Sequence, residues 1–253
     1  SIGRGLAVRF WEEAILAAEE VTPARRRQLL AWVKDGVSVH EFMKPFAGVF
    51  DGKRYEADTP PPYAKTNHPM TDPRFRSYAS EEIVRLEEVG AIKRVSKRPR
   101  CVNPIWVVEG KRLRLIVDAR FPNLWCHPPD MKYDTLRTFQ RGLQQGDFLF
   151  SLDFKSGYHH VKLTEESRTF FGLEWQGQYY EFQVLPFGWN VAPYVFNTLS
   201  TAVVGVTRSM GIHSLVYLDD FCFRIPKDWP EETRFRCIWF VMALMYCAGY
   251  TVS

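Results

Sequence analysis

Apolar residues recur along the chain with two different spacings, and each spacing predicts a different element. Short apolar runs typical of buried strands lie at 148–154, 170–175, 179–184 and 214–223. Apolar residues three and four positions apart predict helices from Ser80 to Gly90, from about 189 to 206, and from 231 to 247. This order predicts an α+β fold, in which an antiparallel sheet carries helices on one face in the split βαβ arrangement.

The first 75 residues show a weaker pattern. Two helices are predicted, and the second begins at Thr22-Pro23 and ends near Gly36, because threonine and proline are favoured at helix starts. The segment from Val37 to Asp72 is irregular, and Pro60-Pro61-Pro62 predicts a stiff extended stretch within it. We interpret residues 1–75 as a helical and irregular extension without chemistry of its own.

A basic stretch follows the helix that is predicted to begin at Ser80. Between Lys93 and Arg114 there are eight lysine or arginine residues and one acidic residue, Glu109. Two strand-like runs, 104–108 and 113–117, predict a β-hairpin with a short, positively charged tip. Such a stretch is either a solvated surface or a site that binds phosphate groups, and the sequence leaves both interpretations open.

Two aspartates interrupt the apolar run from Ser214 to Phe223 and predict a second hairpin with carboxylates at its tip. Asp219-Asp220 favours a turn, whereas the apolar residues on either side favour strands. The run 148–154 brings Asp153 to the end of another strand. If these strands are neighbours in one sheet, Asp153 and Asp219 meet at the same rim with Asp220 beside them.

Converging carboxylates offer the hard oxygen ligands that Mg²⁺ prefers. The alternative for an isolated pair of aspartates is a solvated turn that binds nothing. Ser156 and Gly157 follow the Asp153 strand, and such small residues would let backbone N–H groups approach an anion closely. The pattern therefore favours an acidic metal site beside an anion-binding turn.

Composition narrows the function classes. With 253 residues, 46% of them hydrophobic, the chain can bury a sizeable core, and its net charge of +4 is mild. Five scattered cysteines without a Cys-x-x-Cys pair indicate reduced thiols, and no zinc-ligand spacing is present. We expect an intracellular protein of the cytoplasm or nucleus, neither secreted nor in a membrane. Since the chain does not begin with methionine, we expect it to be a piece of a longer protein.

Three short motifs, in this order, resemble the polymerase motifs of the reverse transcriptases of retroviruses and LTR retrotransposons. They are Leu152 to Tyr158, Leu185 to Trp189 and Tyr217 to Asp220, and a Leu-Arg-Leu-Ile-Val-Asp segment precedes them at 113–118. Each motif is weak alone, but their common order makes chance agreement improbable. The N-terminal region is most similar to the tyrosine-recombinase (DIRS-type) branch of retrotransposons.

The resemblance implies the fingers and palm of a right-hand polymerase, with RNA-directed DNA polymerase activity on an RNA or DNA template with primer and on dNTPs. It assigns residues 76–127 and 161–192 to the fingers, and residues 128–160 and 193–253 to the palm. The thumb and RNase H domains are expected in the full-length polyprotein rather than in this chain. The isolated piece is therefore expected to be an incomplete polymerase.

The resemblance also implies a catalytic centre. Asp153 and Asp219 would hold two Mg²⁺ ions, for which Mn²⁺ is an alternative, and Asp220 would complete the acidic cluster. The carbonyl of Phe154 would help to bind one of the metals. Two such ions activate a primer 3′-hydroxyl and stabilise the pyrophosphate leaving group.

Further residues are implied for binding the nucleotide. Arg114 and Lys111 match positions that grip the incoming triphosphate, with Arg112 as an alternative to Lys111. Tyr158 would be an aromatic plate that leaves no room for a 2′-hydroxyl and so selects deoxynucleotides, unless it is a tyrosine of the core. The complete implied set is Lys111, Arg112, Arg114, Ser156, Gly157, Tyr158, Phe187 and Gly188.

The segment Phe187-Gly188 would back the nucleotide and the template base. Retroviral enzymes often carry glutamine where Phe187 stands, so the polar contact of that glutamine is absent here. For Trp189, Pro193 and Phe196, packing in the core and contact with substrate are equally good interpretations.

Two other functions compete with polymerase activity. A decayed or domesticated domain would bind nucleic acid or a protein partner without catalysis, and loss of a carboxylate would favour it, but all three aspartates are present. A palm-type cyclase also places acids on a split βαβ sheet. The predicted fingers hairpin and the Leu-Pro-Phe-Gly segment argue against a cyclase.

Overall fold

The chain folds into two compact units, each assembled from segments that are distant in sequence. The computed structural model describes residues 5–17, 21–154 and 156–252. The first unit contains residues 35–128 and 161–192. The second contains residues 5–34, 129–160 and 193–252.

Eight α-helical segments lie in the described residues, the first of which continues as a π-helical turn at Trp11–Ile15. They are α1 (Val8–Phe10), α2 (Pro23–Lys34), α3 (Pro73–Glu88), α4 (Arg120–Asn123), α5 (Leu136–Gln140), α6 (Glu165–Arg168), α7 (Ala192–Ser209) and α8 (Glu231–Ala248). Short 3₁₀ turns lie at Val39–Phe42, Gly157–His160 and Thr169–Phe171.

Twelve strands accompany them in the same described residues. They are β1 (Phe46–Phe50), β2 (Lys53–Ala57), β3 (Tyr63–Ala64), β4 (Ile92–Val95), β5 (Cys101–Val102), β6 (Ile105–Glu109), β7 (Leu113–Val117), β8 (Phe148–Asp153), β9 (Gly172–Trp175), β10 (Gln178–Phe182), β11 (Ser214–Tyr217) and β12 (Asp220–Ile225).

The first unit is built on a five-stranded sheet in the order β3-β5-β9-β10-β4. Strands β9, β10 and β4 are antiparallel, whereas β3, β5 and β9 run parallel. The predicted turn between β9 and β10 is confirmed, with positive φ angles of 50° at Gln176 and 79° at Gly177. Two further hairpins, β1-β2 and β6-β7, complete the strands of this unit.

The segment 37–72 was expected to be irregular, and this expectation is wrong for the hairpin β1-β2. Its turn residues Asp51 and Gly52 have φ angles of 47° and 74°. Asp-Gly is among the strongest short hairpin signals because both positions of a type I′ turn need positive φ. Gly48 interrupts the alternation of apolar and polar residues in β1. The ring of Phe46 occupies the space of a side chain there, since an added Cβ would lie 2.6 Å from it.

The third helix begins earlier than expected. Ser80 was predicted as its N-cap, but α3 begins at Pro73 and Asp72 is the N-cap, accepting a hydrogen bond from the Arg74 N–H at 2.8 Å. Ser80 lies inside the helix and donates its hydroxyl to the Arg76 carbonyl at 3.1 Å. The arginines of the first turn hide the apolar periodicity there, so only the Asp-Pro pair marks the true start.

The second unit is built on a three-stranded antiparallel sheet in the order β11-β12-β8. The helices predicted after residues 189 and 231 are confirmed as α7 and α8. Gly249 ends α8 in the left-handed conformation, with φ of 102°. The inward face predicted for α7 is confirmed, since the four side chains predicted to face inward are completely buried: Val195, Phe196, Leu199 and Val203.

Helices α1 and α2 belong to the second unit, whereas residues 35–75 belong to the first. The Trp11 indole N–H donates to the Ala248 carbonyl at 2.9 Å, which attaches the π-helical turn to the end of α8. Thr22 caps α2 as predicted, accepting from the Arg25 N–H at 3.3 Å.

The cysteines are all free thiols, and Cys101, Cys126 and Cys237 are buried. Among the described residues, no helix has both the length and the apolar character needed to cross a membrane.

A charged pair closes the far end of the three-stranded sheet. The Asp147 carboxylate accepts hydrogen bonds from Arg224 Nε at 2.6 Å, from the Gln144 N–H at 2.7 Å and from the Lys227 N–H at 3.1 Å. These donors, Arg224 first, lower the pKa of Asp147 from 3.8 to about 2. Folding therefore favours the charged form of Asp147 over the neutral form.

We predict that the free energy of unfolding falls less steeply between about pH 4 and pH 2 in Asp147→Asn than in wild type. Because the folded-state pKa is depressed, the stabilisation from Asp147 is present above pH 3.8 and is lost as the pH falls toward 2. Urea unfolding at a series of pH values measures this slope, and Asp130→Asn, at an exposed position of the same unit, is the control. Equal slopes for wild type and Asp147→Asn would contradict the prediction.

Candidate active site

The acidic hairpin forms between β11 and β12. Leu218 and Asp219 make the turn, and Asp220 is the first residue of β12, paired with Tyr217. Leu218 has a φ angle of 54°, which is uncommon for a residue other than glycine. Asp219 therefore lies in the turn itself, while Asp220 has the geometry of a strand.

The register of the sheet brings Asp153 directly opposite Asp220 on the neighbouring strand. The sequence had suggested that Asp219 meets Asp153 with Asp220 beside them. The backbone register pairs Asp153 with Asp220, while Asp219, in the adjoining turn, stays within electrostatic reach of Asp153. Residues directly opposite in an antiparallel pair have Cβ atoms about 4.5–5.5 Å apart, and like charges there are destabilising. Burial, followed by the charges of Asp220 and Asp153, raises the pKa of Asp219.

The three carboxylates fit a divalent cation by their chemistry. After burial, their mutual repulsion also raises the pKa of Asp219, and a bound cation would relieve that repulsion. Within residues 5–17, 21–154 and 156–252, no group of three or more His, Cys, Asp or Glu side chains is arranged to hold a metal ion. Mg²⁺ commonly takes only one or two protein carboxylates, with waters and substrate phosphates as its other ligands, so two aspartates suffice.

Phe154 fixes the end of the strand that carries Asp153. Its buried ring stacks on Tyr250 at 4.8 Å and meets the edge of Phe221 at 4.6 Å. Its backbone forms an antiparallel bridge with Val252. The segment after α8 therefore supports the acidic strand, a contact that sequence reasoning missed because the segment has no motif of its own.

The turn after Asp153 is held by packing. Lys155 lies outside the described residues, and Ser156 has a positive φ of 53°. Gly157 is buried, and a Cβ added there would lie 2.7 Å from the ring of Phe196. Glycine is thus required for the close approach of this ring, whereas the predicted approach of an anion to the backbone stays a prediction.

Tyr158 lies beside the acidic cluster. Its half-buried ring meets Phe196 edge to face at 5.4 Å. Burial, followed by the charge of Asp219, raises the pKa of Tyr158 to about 12, so its phenol is neutral at physiological pH. The ring is not fully buried, which favours the interpretation as a contact residue over that as a core tyrosine.

His160 ties this turn to the segment after α8. Its Nδ1 lies 3.0 Å from the Gly157 carbonyl, and its Nε2 accepts from the Thr251 N–H at 3.1 Å. Burial lowers the pKa of His160, in agreement with the neutral ring that these two bonds require. The pair His159-His160 has no ligand spacing, so no sequence signal pointed to this role.

The cations that were predicted to bind the triphosphate lie in the first unit. Lys111, Arg112 and Arg114 are exposed, and the register of the β6-β7 hairpin pairs Arg114 with Val108. Glu109 is neutralised by Arg74 at 3.3 Å. None of the three cations forms a salt bridge with a carboxylate in the described part of the chain, so their charges are available to an anion.

Phe187 and Gly188 also belong to the first unit. Phe187 is 50% exposed, which is unusual for a phenylalanine. Gly188 has a φ of 101°, and a Cβ there would lie 2.9 Å from the Val117 carbonyl oxygen. The positive φ and this close approach require glycine in the turn. The Gly188 carbonyl also accepts a hydrogen bond from Asn123 Nδ2 at 2.8 Å.

The structure thus distributes the predicted residues between the two units. Trp189 and Phe196 are buried, which makes them packing residues. The first unit holds Lys111, Arg112, Arg114, Phe187 and Gly188. The second unit brings together Asp153, Phe154, Ser156, Gly157, Tyr158, Asp219 and Asp220.

Gly157→Ala is predicted to destabilise the protein by about 1–3 kcal/mol, because the new methyl group overpacks against the buried ring of Phe196. The matched control is Gly205→Ala in α7, where an added Cβ meets nothing within 4 Å and alanine should stabilise by about 0.5–1 kcal/mol. Urea unfolding measures both. If Gly157→Ala is as stable as wild type, the contact with Phe196 is not tight.

Comparison with known proteins identifies the family of this chain. The family model described as reverse transcriptase (RNA-dependent DNA polymerase) matches residues 104–232, slightly more than half of the chain. The Pol polyprotein of the Drosophila melanogaster transposon gypsy is 30% identical over 151 residues, which are 56% of this chain and 14% of that protein. Protein P of heron hepatitis B virus is 27% identical over 125 residues, 45% of this chain and 15% of that protein.

A solved structure shows the same fold. The foamy viral protease–reverse transcriptase in complex with double-stranded DNA aligns with a TM-score of 0.66 and 16% identity, over 98% of this chain and 43% of that one. The predicted α+β fold of polymerase fingers and palm is thereby confirmed. The chain spans less than a fifth of the length of the two curated relatives.

Proposed function

Since this chain belongs to the reverse transcriptase (RNA-dependent DNA polymerase) family, we propose that it carries the active site of a retrotransposon RNA-directed DNA polymerase. The reaction adds dNTPs to a primer 3′-hydroxyl on an RNA or DNA template. The single observation that carries the proposal is the register that sets Asp153 opposite Asp220, with Asp219 in the adjoining turn. The assignment to the DIRS-type branch stays a prediction.

In this proposal the first unit corresponds to the fingers and the second unit to the palm. Asp153, Asp219 and Asp220, with the carbonyl of Phe154, would hold two Mg²⁺ ions, or Mn²⁺ in their place. When bound, the cations supply Lewis-acid activation of the primer hydroxyl and charge neutralisation at the leaving pyrophosphate.

The chain's own residues bind and orient the nucleotide. Arg114, with Lys111 or Arg112, provides unneutralised positive charge for the triphosphate, and a guanidinium suits bidentate contact with phosphate oxygens. The exposed ring of Phe187 provides an apolar surface for a base. Within the second unit, the half-buried ring of Tyr158 lies near Asp219, and there it would exclude a 2′-hydroxyl.

The proposed macromolecular partner is a primer–template duplex. The foamy viral relative was solved with double-stranded DNA, which supports this choice. The exposed cations between Lys93 and Arg100 offer phosphate contacts that carry no sequence preference. A polymerase must accept any template sequence, so contacts of this kind suit it.

Primer extension tests the proposed activity, with a poly(rA) template, an oligo(dT) primer, Mg²⁺ and dTTP. We expect extension by the longer polyprotein to which we assign the chain, and a loss of at least about a hundredfold in its Asp219→Asn variant, because metal binding supplies several kcal/mol of transition-state stabilisation. Asp228→Asn, at an exposed position of the same unit, should leave the rate unchanged. Folded protein that binds duplex without extending it would favour the non-catalytic alternative.

Nucleotide selection is tested separately at Tyr158. Tyr158→Ala should raise incorporation of ribonucleotides relative to deoxynucleotides by at least about tenfold, because the ring that excludes the 2′-hydroxyl is removed. Tyr158→Phe keeps the ring and should keep the discrimination. Single-nucleotide incorporation with UTP and dTTP measures the ratio, and unchanged discrimination in Tyr158→Ala would refute the steric role.

A further inference from the structure

In the part of the chain that the structure describes, β11 is the edge of the three-stranded sheet, and side chains rather than another strand contact its outer side. An edge strand exposes a row of unpaired N–H and C=O groups. Here the segment 133–139 and the last turn of α7 occupy that row. They contact Ser214, Val216 and Tyr217 of β11, and His213 just before it.

Asp134 and Arg208 make the central contacts. The Asp134 carboxylate accepts the Val216 N–H at 3.0 Å and also accepts from the Arg208 guanidinium. Arg208 in turn donates to the Ser214 hydroxyl and to the Ser214 carbonyl, both at 3.1 Å. The ion pair therefore satisfies three polar groups of β11.

Aromatic contacts extend this cover to both ends of the strand. Tyr133 packs against Tyr217 with ring centroids 5.4 Å apart, next to the acidic turn. Phe139 stacks on His213 at 4.9 Å, immediately before β11, and the Phe139 carbonyl lies 3.1 Å from the His213 ring nitrogen Nε2. The contacts thus fix β11 along its length.

This cover matters because the turn that follows β11 is strained. Leu218 has a positive φ, and such conformations persist only where the surroundings enforce them. Strand β12 holds β11 on one side only, so the outer side depends on Asp134 and Arg208. Val216 lies three positions before Asp219. A shift of the Val216 backbone would therefore move the turn and the Asp219 carboxylate with it.

We propose that Asp134 and Arg208 are positioning residues for Asp219. They hold the edge strand in place, and the turn therefore keeps the Asp219 carboxylate in a fixed position beside Asp153 and Asp220. The kinetic part of this inference rests on the proposed polymerase function, whereas its structural part does not.

A second ion pair of the same sheet provides a matched control. Asp147 and Arg224 also join an aspartate to an arginine, with Arg224 paired to Leu149 near the opposite end of the strands. At about 3.3 Å per residue, Arg224 is roughly 13 Å along β12 from Asp220. Removing this pair should cost stability without moving Asp219.

The experiment compares Asp134→Ala, Asp134→Asn and Asp147→Ala with wild type. For each we measure kcat and KM for dTTP in primer extension, the thermal unfolding temperature, and amide hydrogen exchange at Val216 and residues 218–220. Asp134→Ala should lower kcat by about ten- to a hundredfold with KM changed less than about twofold, since small misplacements of reacting groups have effects of this size. Asp134→Asn keeps an oxygen that accepts the Val216 N–H, so it should recover part of kcat.

The amide-exchange measurement separates positioning from general stability. Asp134→Ala should accelerate exchange at Val216 and in the turn, whereas Asp147→Ala should lower the unfolding temperature and leave exchange in the turn and kcat unchanged. If kcat falls equally in both alanine variants for an equal loss of stability, the positioning role is overturned.

If wild type itself extends no primer, the proposed function fails and amide exchange alone decides this inference. Faster exchange confined to Val216 and the turn would support it. Exchange that is unchanged, or that rises throughout the sheet, would overturn it.

Discussion

Repulsion between carboxylates held on neighbouring strands is the constraint around which the second unit is built. Asp153 and Asp220 lie directly opposite each other, and their charges, after burial, raise the pKa of Asp219. The apolar residues of the same strands set this register, since Leu152 pairs with buried Phe221. A shift by one residue would move this apolar set to the solvent face, so the core enforces a charge arrangement that is unfavourable by itself.

The surroundings of the carboxylates are correspondingly rigid. Ser156 follows Asp153 by three positions and Leu218 immediately precedes Asp219, and both residues have positive φ angles. Such strain persists only where packing and hydrogen bonds over-determine the backbone. The stack of Phe154 on Tyr250 and the bond from Thr251 to His160 supply that support for one turn. The cover on the outer side of β11 supplies it for the other.

Much of the fold and of the candidate site could be predicted from local sequence. Helical spacing of apolar residues predicted α7 and α8, although α7 ends at Ser209 rather than near residue 206. Turn chemistry predicted the β9-β10, β6-β7 and β11-β12 hairpins, because glycine adopts positive φ without steric cost and aspartate favours turns through local hydrogen bonds. The prediction at Ser80 was wrong because the Asp72-Pro73 pair is the true helix start, and the Asp51-Gly52 turn carries a strong hairpin signal of its own. The motifs also predicted the family, which the comparisons confirm.

Sequence by itself predicted the strands around the acidic residues, with Asp153 at the end of one strand and the Asp219-Asp220 pair between two others. Only the tertiary structure decided that Asp220, not Asp219, stands opposite Asp153, because strand register depends on the packing of both strands together. It alone also brought Asp134 to the Val216 N–H, 82 positions away, and Val252 to the backbone of Phe154. Contacts between distant segments leave no periodic signal in either segment, since each follows from where the fold places its partner.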